Sequence, residues 1–523
     1  MGAVYGSPSM RSIDPIPGQG TNAALAYVGW GRLFALLAIV TTLSRLAILF
    51  VANHDLGPDE AQYWFWSRTP ALGYYSKPPL IAWSIAATTA LFGNGEAAVR
   101  ASAPLFHAAT ATFLFILGRE LFDSKVGFWA GVTWLLTPGV ILSSMVISTD
   151  APLLSFWSLS LLLFFRLAAA NAEAIKRATA IALGIAIGAG FLAKYAMIYF
   201  PLCMCFALFA APSIRKRINR VELSVVGFFA IITATPNILW NARNDFQTVS
   251  HTAANANWGQ QLLHPIEFLE FAAAQFGVVG PLLMPAIGLA LVASTRGSRP
   301  SCTKAAERLE LHRALASFVA PILLIIAVQS LLSRAHANWA AAAYPAGILL
   351  AVAFALSAKH GKNRTAFNLV RVSAPLHILA FGALSIALIA PASADAIGVG
   401  RALAQLRGWE KNGADVIQAA RVGDFDAIVA DDRDVLGGLT YYANGAGRFA
   451  AFDSNNRIDH HYEAFLHFDP RTDKRILYVT ENEGAIALTG RFKNIQKIGE
   501  SIAPTGNDRV RKLYLFSASE YVF

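Results

Sequence analysis

Charge is what this chain has least of. Of its 523 residues only 15% are Asp, Glu, Lys or Arg, while 55% are hydrophobic. A soluble protein carries about 25% charged residues, and a globule of this size could not clothe its surface with so few. That scarcity excludes a cytosolic enzyme and a disordered chain, and it leaves a multi-span membrane protein. Cysteine is scarcer still: Cys203, Cys205 and Cys302 are the three present, and the first two point to different sides of any helix. They supply neither a disulfide framework nor a zinc signature. No His pair has the spacing of a zinc site, and no P-loop or GxGxxG introduces a soluble βαβ unit. A nucleotide-driven pump and a Rossmann-type sugar-nucleotide enzyme are therefore unsupported. No internal repeat stands out. The formal charge of +10 points, in a membrane protein, to positive-inside loops and anionic lipid, not to nucleic acid.

What is abundant is apolar sequence in runs near the ~20 residues that cross a bilayer. After an aperiodic tail over 1–29, such runs fall at 33–52, 97–118, 126–143, 150–168, 178–194, 196–211, 221–239, 268–293, 314–333, 339–357 and 373–391. The first lacks the short apolar core and small-residue cleavage site of a signal peptide. The stretch 79–92 is too short to span and reads as an interfacial segment. Basic residues sort by loop. Arg166, Lys176 and Arg177 share one side with Arg215, Lys216, Arg217 and Arg220, with Arg296 to Arg313, and with Lys359 to Arg371. That alternation agrees with eleven crossings. If these loops face the cytoplasm, then 53–96, 143–150, 240–267, 334–338 and everything beyond 391 lie on the opposite side.

Residues 392–523 change character. Dense charge, β-type runs at 427–430 and 476–479, and helical patterns at 401–420 and 434–443 predict a small α/β domain. The expected fold is an α-helical polytopic membrane protein with about eleven transmembrane helices over 30–391, followed by a soluble α/β domain over 392–523.

The first outer loop carries the most chemistry: Gly57-Pro58-Asp59-Glu60-Ala61-Gln62-Tyr63-Trp64-Phe65-Trp66, then Gly73-Tyr74-Tyr75-Ser76-Lys77-Pro78-Pro79. Adjacent carboxylates where a span leaves the membrane are costly when ionised unless they are paired or used. A structural reading competes: Asp59 as an N-cap, Gln62 completing a capping box, and the aromatics as an interfacial belt. Asp150, in Ser148-Thr149-Asp150-Ala151-Pro152, also suits a helix start, yet it falls on the same face as Asp59. Lys194 closes the fifth span on that face, placed either to snorkel to headgroups or to neutralise a phosphate. Lys77, in a turn stiffened by two prolines, has fewer structural reasons to be there. Arg45 and Arg100 lie near the outer ends of their spans, where snorkelling accounts for both. The segment Arg334-Ala335-His336-Ala337-Asn338-Trp339 packs a cation, an imidazole and an amide into one short outer turn. His336 there suits contact with an anionic ligand, although capping and Trp anchoring explain the neighbourhood as well.

Taken in order, Asp59-Glu60-Ala61-Gln62-Tyr63-Trp64, Tyr75-Ser76-Lys77-Pro78-Pro79-Leu80, Thr149-Asp150-Ala151-Pro152 and Leu192-Ala193-Lys194-Tyr195 resemble the lipid-dependent glycosyltransferases of the GT-C type. The branch in question holds the lipid A aminoarabinose transferases, the rhizobial galacturonosyltransferases and relatives of protein O-mannosyltransferases. The likeness covers residues 30–345, with Asn338-Trp339 and Tyr344-Pro345 in the same style. It implies a sugar donor built on a polyprenyl phosphate, a lipid acceptor of the lipid A or lipopolysaccharide type, and inversion at the anomeric carbon. It also implies a cavity at the outer face of a bacterial inner membrane and a periplasmic C-terminal domain. By the same likeness Asp59 is the base, Glu60 its partner and Asp150 the second acid, while Lys77 and Lys194 meet the donor phosphate. Tyr63, Tyr75, Arg100, His336 and Asn338 are candidate substrate contacts. The aminoarabinose transferases carry an arginine where Gln62 stands, which speaks against aminoarabinose as the sugar. No cofactor is implied; were a divalent ion required, Asp59, Glu60 and Asp150 are its oxygen donors. The alternatives are a protein acceptor or a flippase of polyprenyl-linked sugars. A flippase would place charges midway through its spans and often show repeated halves.

Overall fold

The computed structural model describes residues 20–52, 54–256, 263–296, 303–358, 364–396, 398, 400–455 and 457–522. The expected N-terminal tail therefore lies outside the described residues as far as residue 19, and from Gly20 the chain is already helical.

Eight helices among the described residues are long and apolar enough to cross a membrane: Gly29–Val51, Glu96–Leu121, Asp150–Ala169, Glu173–Ala193, Arg220–Arg243, Ala305–Leu332, Ala337–Ser357 and Thr365–Ile389. Pro265–Val279 and Leu283–Arg296, bent by 104°, make a ninth if the pair is one broken span. The other two expected spans are helical but short. Residues 126–143 divide into Ser124–Leu136 and Pro138–Ser143, because Thr137 before a proline turns extended at ψ 132°. Residues 196–211 hold the 12-residue helix Tyr199–Ala210. At 1.5 Å per residue a helix of that size reaches roughly 18–20 Å, against the ~30 Å of a hydrocarbon core. The same arithmetic keeps the 13-residue helix Leu80–Phe92 from spanning.

Helix Arg220–Arg243 shows the outward character of the bundle: Val221, Phe228, Ile231 and Ile232 are exposed. Inside, Trp134, Trp157, Phe164, Phe200 and Phe318 are buried in one continuous core. Helices Ser102–Leu121 and Ser124–Leu136 approach closely, and a Cβ on Gly127 would stand 2.3 Å from the Phe115 carbonyl. Arg45 departs from the snorkelling expectation. Its side chain is fully buried and donates from Nη2 to the Leu135 carbonyl.

The C-terminal domain is built on a five-stranded sheet: β1 (Ala427–Ala430), β2 (Phe449–Ala451), β3 (Arg475–Thr480), β4 (Phe492–Gly506) and β5 (Arg509–Tyr521), in the order β2-β1-β3-β5-β4. β1 runs parallel to β2 and β3, while β5 is antiparallel to β3 and β4. Alternate residues of β1 serve opposite faces: Ile428 and Ala430 join one apolar cluster, Ala427 and Val429 the other. Helix Arg433–Tyr442 packs on the outer-loop helix Pro58–Ser67. Hydrogen bonds fasten the two bodies, among them these. The Leu56 amide donates to Tyr442 Oη (2.6 Å), Tyr441 Oη to the Asn94 carbonyl (2.5 Å), the Trp409 amide to Asp55 (2.6 Å), and Tyr75 Oη to the Ile458 carbonyl (3.0 Å). The soluble domain thus covers the loop that carries the acidic motif.

Candidate active site

Helix Pro58–Ser67 begins with proline at its first position and acids next to it, a favoured combination at a positive helix end. The N-cap is Gly57, not Asp59, so the capping role that the sequence allowed Asp59 is not taken up. Asp59 instead projects outward with a 62% exposed side chain, and Arg433 of the soluble domain meets it at 2.7 Å. The same guanidinium nitrogen donates to Gln62 Oε1 at 2.9 Å.

Glu60, one residue on, faces the opposite way. Its Oε1 accepts from Arg100 Nε (2.8 Å) and the Ile147 amide (2.9 Å), and its Oε2 from Arg100 Nη2 (2.6 Å) and the Gly57 amide (3.0 Å). A carboxylate offers about four acceptor sites, and all are filled. Arg100 also donates to the His54 and Asp55 carbonyls. The pair is 1% and 5% exposed. Glu60 and Arg100, which the sequence offered as a catalytic acid and a substrate contact, are therefore each other's partners and form a buried brace.

Asp150 begins helix Asp150–Ala169, and Lys194 directly follows helix Glu173–Ala193. They meet at 2.7 Å, and Asn338 Nδ2 donates to the other carboxylate oxygen at 2.6 Å. Neither the capping reading of Asp150 nor the snorkelling reading of Lys194 holds, because each side chain is spent on the other.

Lys77 sits at the end of a turn closed by a bond from the Tyr74 amide to the Lys77 carbonyl (3.1 Å). Thr248 donates to the Tyr74 carbonyl (2.6 Å) and Asn237 to the Leu72 carbonyl (2.9 Å), clamping the turn from two other helices. Gly73 is needed there, since a Cβ would lie 2.6 Å from Trp240. The Lys77 ammonium has no ion-pair partner among the described residues. Burial, reinforced by the charge of Lys194, holds its pKa below the usual lysine value, against the pull of Asp59 and Asp150. His251 packs on Tyr75 at 5.3 Å, and burial with the charges of Lys77 and Arg433 keeps its imidazole below the ordinary range.

Lys77 and Lys194 both line a cavity of about 700 Å³. Much of the rest of its lining is apolar, including Ile198, Tyr199, Leu324, Ile325, Val328 and Leu332, with Thr252, Asn255 and Gln329 among the polar residues. Trp339 also lines it, with exposed His336 packed edge-on against that indole at 5.5 Å. Tyr63 is buried against Trp66 at 5.3 Å.

Asp59, Lys77, Asp150, Lys194 and Asn338 therefore come to one region, whereas Tyr75 is tied to the soluble domain. The three acids do not form a cation cage: no group of three His, Cys, Asp or Glu side chains converges among the described residues. Arg433 is the residue that reading the sequence missed. Its only advance notice is the acid-flanked Asp432-Arg433-Asp434 at a helix start.

Comparison with known proteins follows the same lines. The family described as dolichyl-phosphate-mannose-protein mannosyltransferase matches residues 76–240. The lipid A galacturonosyltransferase RgtD of Rhizobium johnstonii is 32% identical over 487 residues, which span 92% of this chain and 97% of that protein. The lipopolysaccharide core galacturonosyltransferase RgtB of the same organism is 25% identical over 314 residues, 57% of this chain and 60% of its own length. In fold, the chain resembles ArnT from Cupriavidus metallidurans bound to undecaprenyl phosphate, with a TM-score of 0.64 at 17% identity over 94% of this chain and 98% of that one.

Proposed function

The chain belongs to the GT-C glycosyltransferase family that includes the rhizobial lipid A galacturonosyltransferase, and from that premise we propose that it transfers a hexuronic acid from a polyprenyl-phosphate donor to a lipid A-type acceptor. The observation that carries this reading is the cavity, whose lining joins two lysines to a largely aliphatic wall. A phosphate on an isoprenoid has that polarity, and a nucleotide sugar does not.

The donor phosphate lies between Lys77 and Lys194, and the prenyl chain runs along Ile198, Leu324 and Val328. Asp59 accepts the proton of the acceptor hydroxyl, whose oxygen attacks the anomeric carbon as the bond to the phosphate oxygen breaks. Polyprenyl phosphate leaves with the bonding pair, and the lysines stabilise the charge growing on it. A single displacement inverts the anomeric centre. Asp150 and Asn338 position Lys194, and the Glu60–Arg100 brace positions the helix that presents Asp59. The positive-inside pattern supports a non-cytoplasmic site and a periplasmic soluble domain.

The test is reconstitution with polyprenyl-phosphate galacturonate and lipid A, followed by mass analysis of the lipid. A gain of one hexuronate supports the reading; consumption of donor only with a peptide acceptor, or movement of intact donor between leaflets without chemistry, overturns it.

A further inference from the structure

The cation that the soluble domain delivers to the acidic motif has no part in the chemistry above. Arg433 opens helix Arg433–Tyr442 directly after the N-cap Asp432, and it crosses 374 positions of sequence to reach Asp59. Its Nη1 serves Asp59 and Gln62, and its Nη2 serves Asp434 at 2.8 Å. Three of five donors are thus spent, and Nε–H has no partner among the described residues. The pair is open to water on both sides, with Arg433 38% and Asp59 62% exposed. A surface pair of this kind contributes little on its own, so another anion can replace Asp59.

The site holds two kinds of cation. Lys77 and Lys194 are compact point charges suited to a phosphate, whereas a guanidinium offers a planar fork that fits a carboxylate. Resting on the hexuronate reading, we infer that Arg433 is the specificity-determining contact for the carboxylate of the donor sugar, which takes the place of Asp59 on the guanidinium. The exchange selects an acidic sugar over a neutral one. It also releases Asp59 from its counter-ion at the moment a proton acceptor is needed. A neutral hexose makes no such exchange and leaves the Asp59–Arg433 pair closed.

The experiment uses the full chain in lipid nanodiscs with lipid A as acceptor, comparing polyprenyl-phosphate galacturonate with polyprenyl-phosphate galactose. Wild-type protein, Arg433→Gln and Arg433→Lys are measured with each donor, and melting in detergent verifies folding. The expected result is a loss of the preference for galacturonate by at least tenfold in Arg433→Gln, carried mainly by a higher KM for that donor. Arg433→Lys keeps the charge without the fork and recovers only part. An equal loss with both donors assigns Arg433 a merely structural tie and overturns the inference, as does an unchanged preference. A wild-type protein that shows no preference for galacturonate overturns the hexuronate reading itself and this inference with it.

Discussion

Lys194 Nζ stands 2.7 Å from Asp150 Oδ1, so one of the two lysines that line the cavity is paired with a carboxylate, while the other, Lys77, has no ion-pair partner among the described residues. A phosphate arriving at this pair therefore meets one free cation and one that it must share. Replacing Lys194 with Met should raise the donor KM and leave Asp150, whose side chain is 8% exposed, without its counter-ion. Adding Asp150→Asn should restore thermal stability toward wild type but not the donor KM. Melting curves set beside initial rates distinguish the two effects.

Asp59→Asn should lower kcat by about 10²–10⁴-fold, the usual contribution of a general base. Because the side chain is largely exposed, the melting temperature should hardly move. A variant that keeps its rate removes Asp59 from the chemistry.

Lys77 gives a pH signature. Its pKa lies below the ordinary 10.5 because of burial first and Lys194 second, so its charge is complete at low pH and is lost as pH rises through that lowered value. Donor binding should accordingly weaken at a more acidic pH than an ordinary lysine would dictate. Arg stays charged up to about pH 12, so Lys77→Arg should flatten the alkaline limb of the donor KM profile even if its neutral-pH KM is poorer. A limb that Lys77→Arg leaves in place assigns it to another group.

The Glu60–Arg100 brace predicts a stability effect without a role in chemistry. Removing one partner of a buried pair costs roughly 3–5 kcal/mol because a charge is left uncompensated. Arg100→Ala and Glu60→Ala should each melt early, and the double variant should lose less than the sum of the two. Additive losses would mean that the two side chains act separately.

Much of the site was legible because its residues fall at membrane exits. There a polar side chain has few structural reasons to exist, and Asp59, Asp150 and Lys194 lie near such points, while Lys77 stands in the stiffened turn of the loop between them. Arg433 was not legible, since its flanking acids suit any exposed helix start; only the docking of that helix on Pro58–Ser67 brings it to Asp59. Arg45 misleads for the opposite reason. Its distance from the helix end permits snorkelling, and the inward rotation toward Leu135 is a matter of packing. In the soluble domain β1 and β3 declare themselves through buried aliphatic runs. β4 carries polar residues over most of its length because it is an edge strand, and so its pairing with β5 is hidden from a periodicity argument.

Leu324 and Val328 line the cavity and are themselves 66% and 46% exposed at the outside of the bundle. The groove is therefore a side entrance. On the proposed reading, an isoprenoid longer than this slot would not need to be lifted out of its leaflet: the units next to the headgroup would slide in laterally while the remainder trailed among the acyl tails. Encounter would then be a two-dimensional search, governed by the mole fraction of donor in the bilayer and not by its bulk concentration. Lengthening the isoprenoid beyond the slot should stop improving turnover.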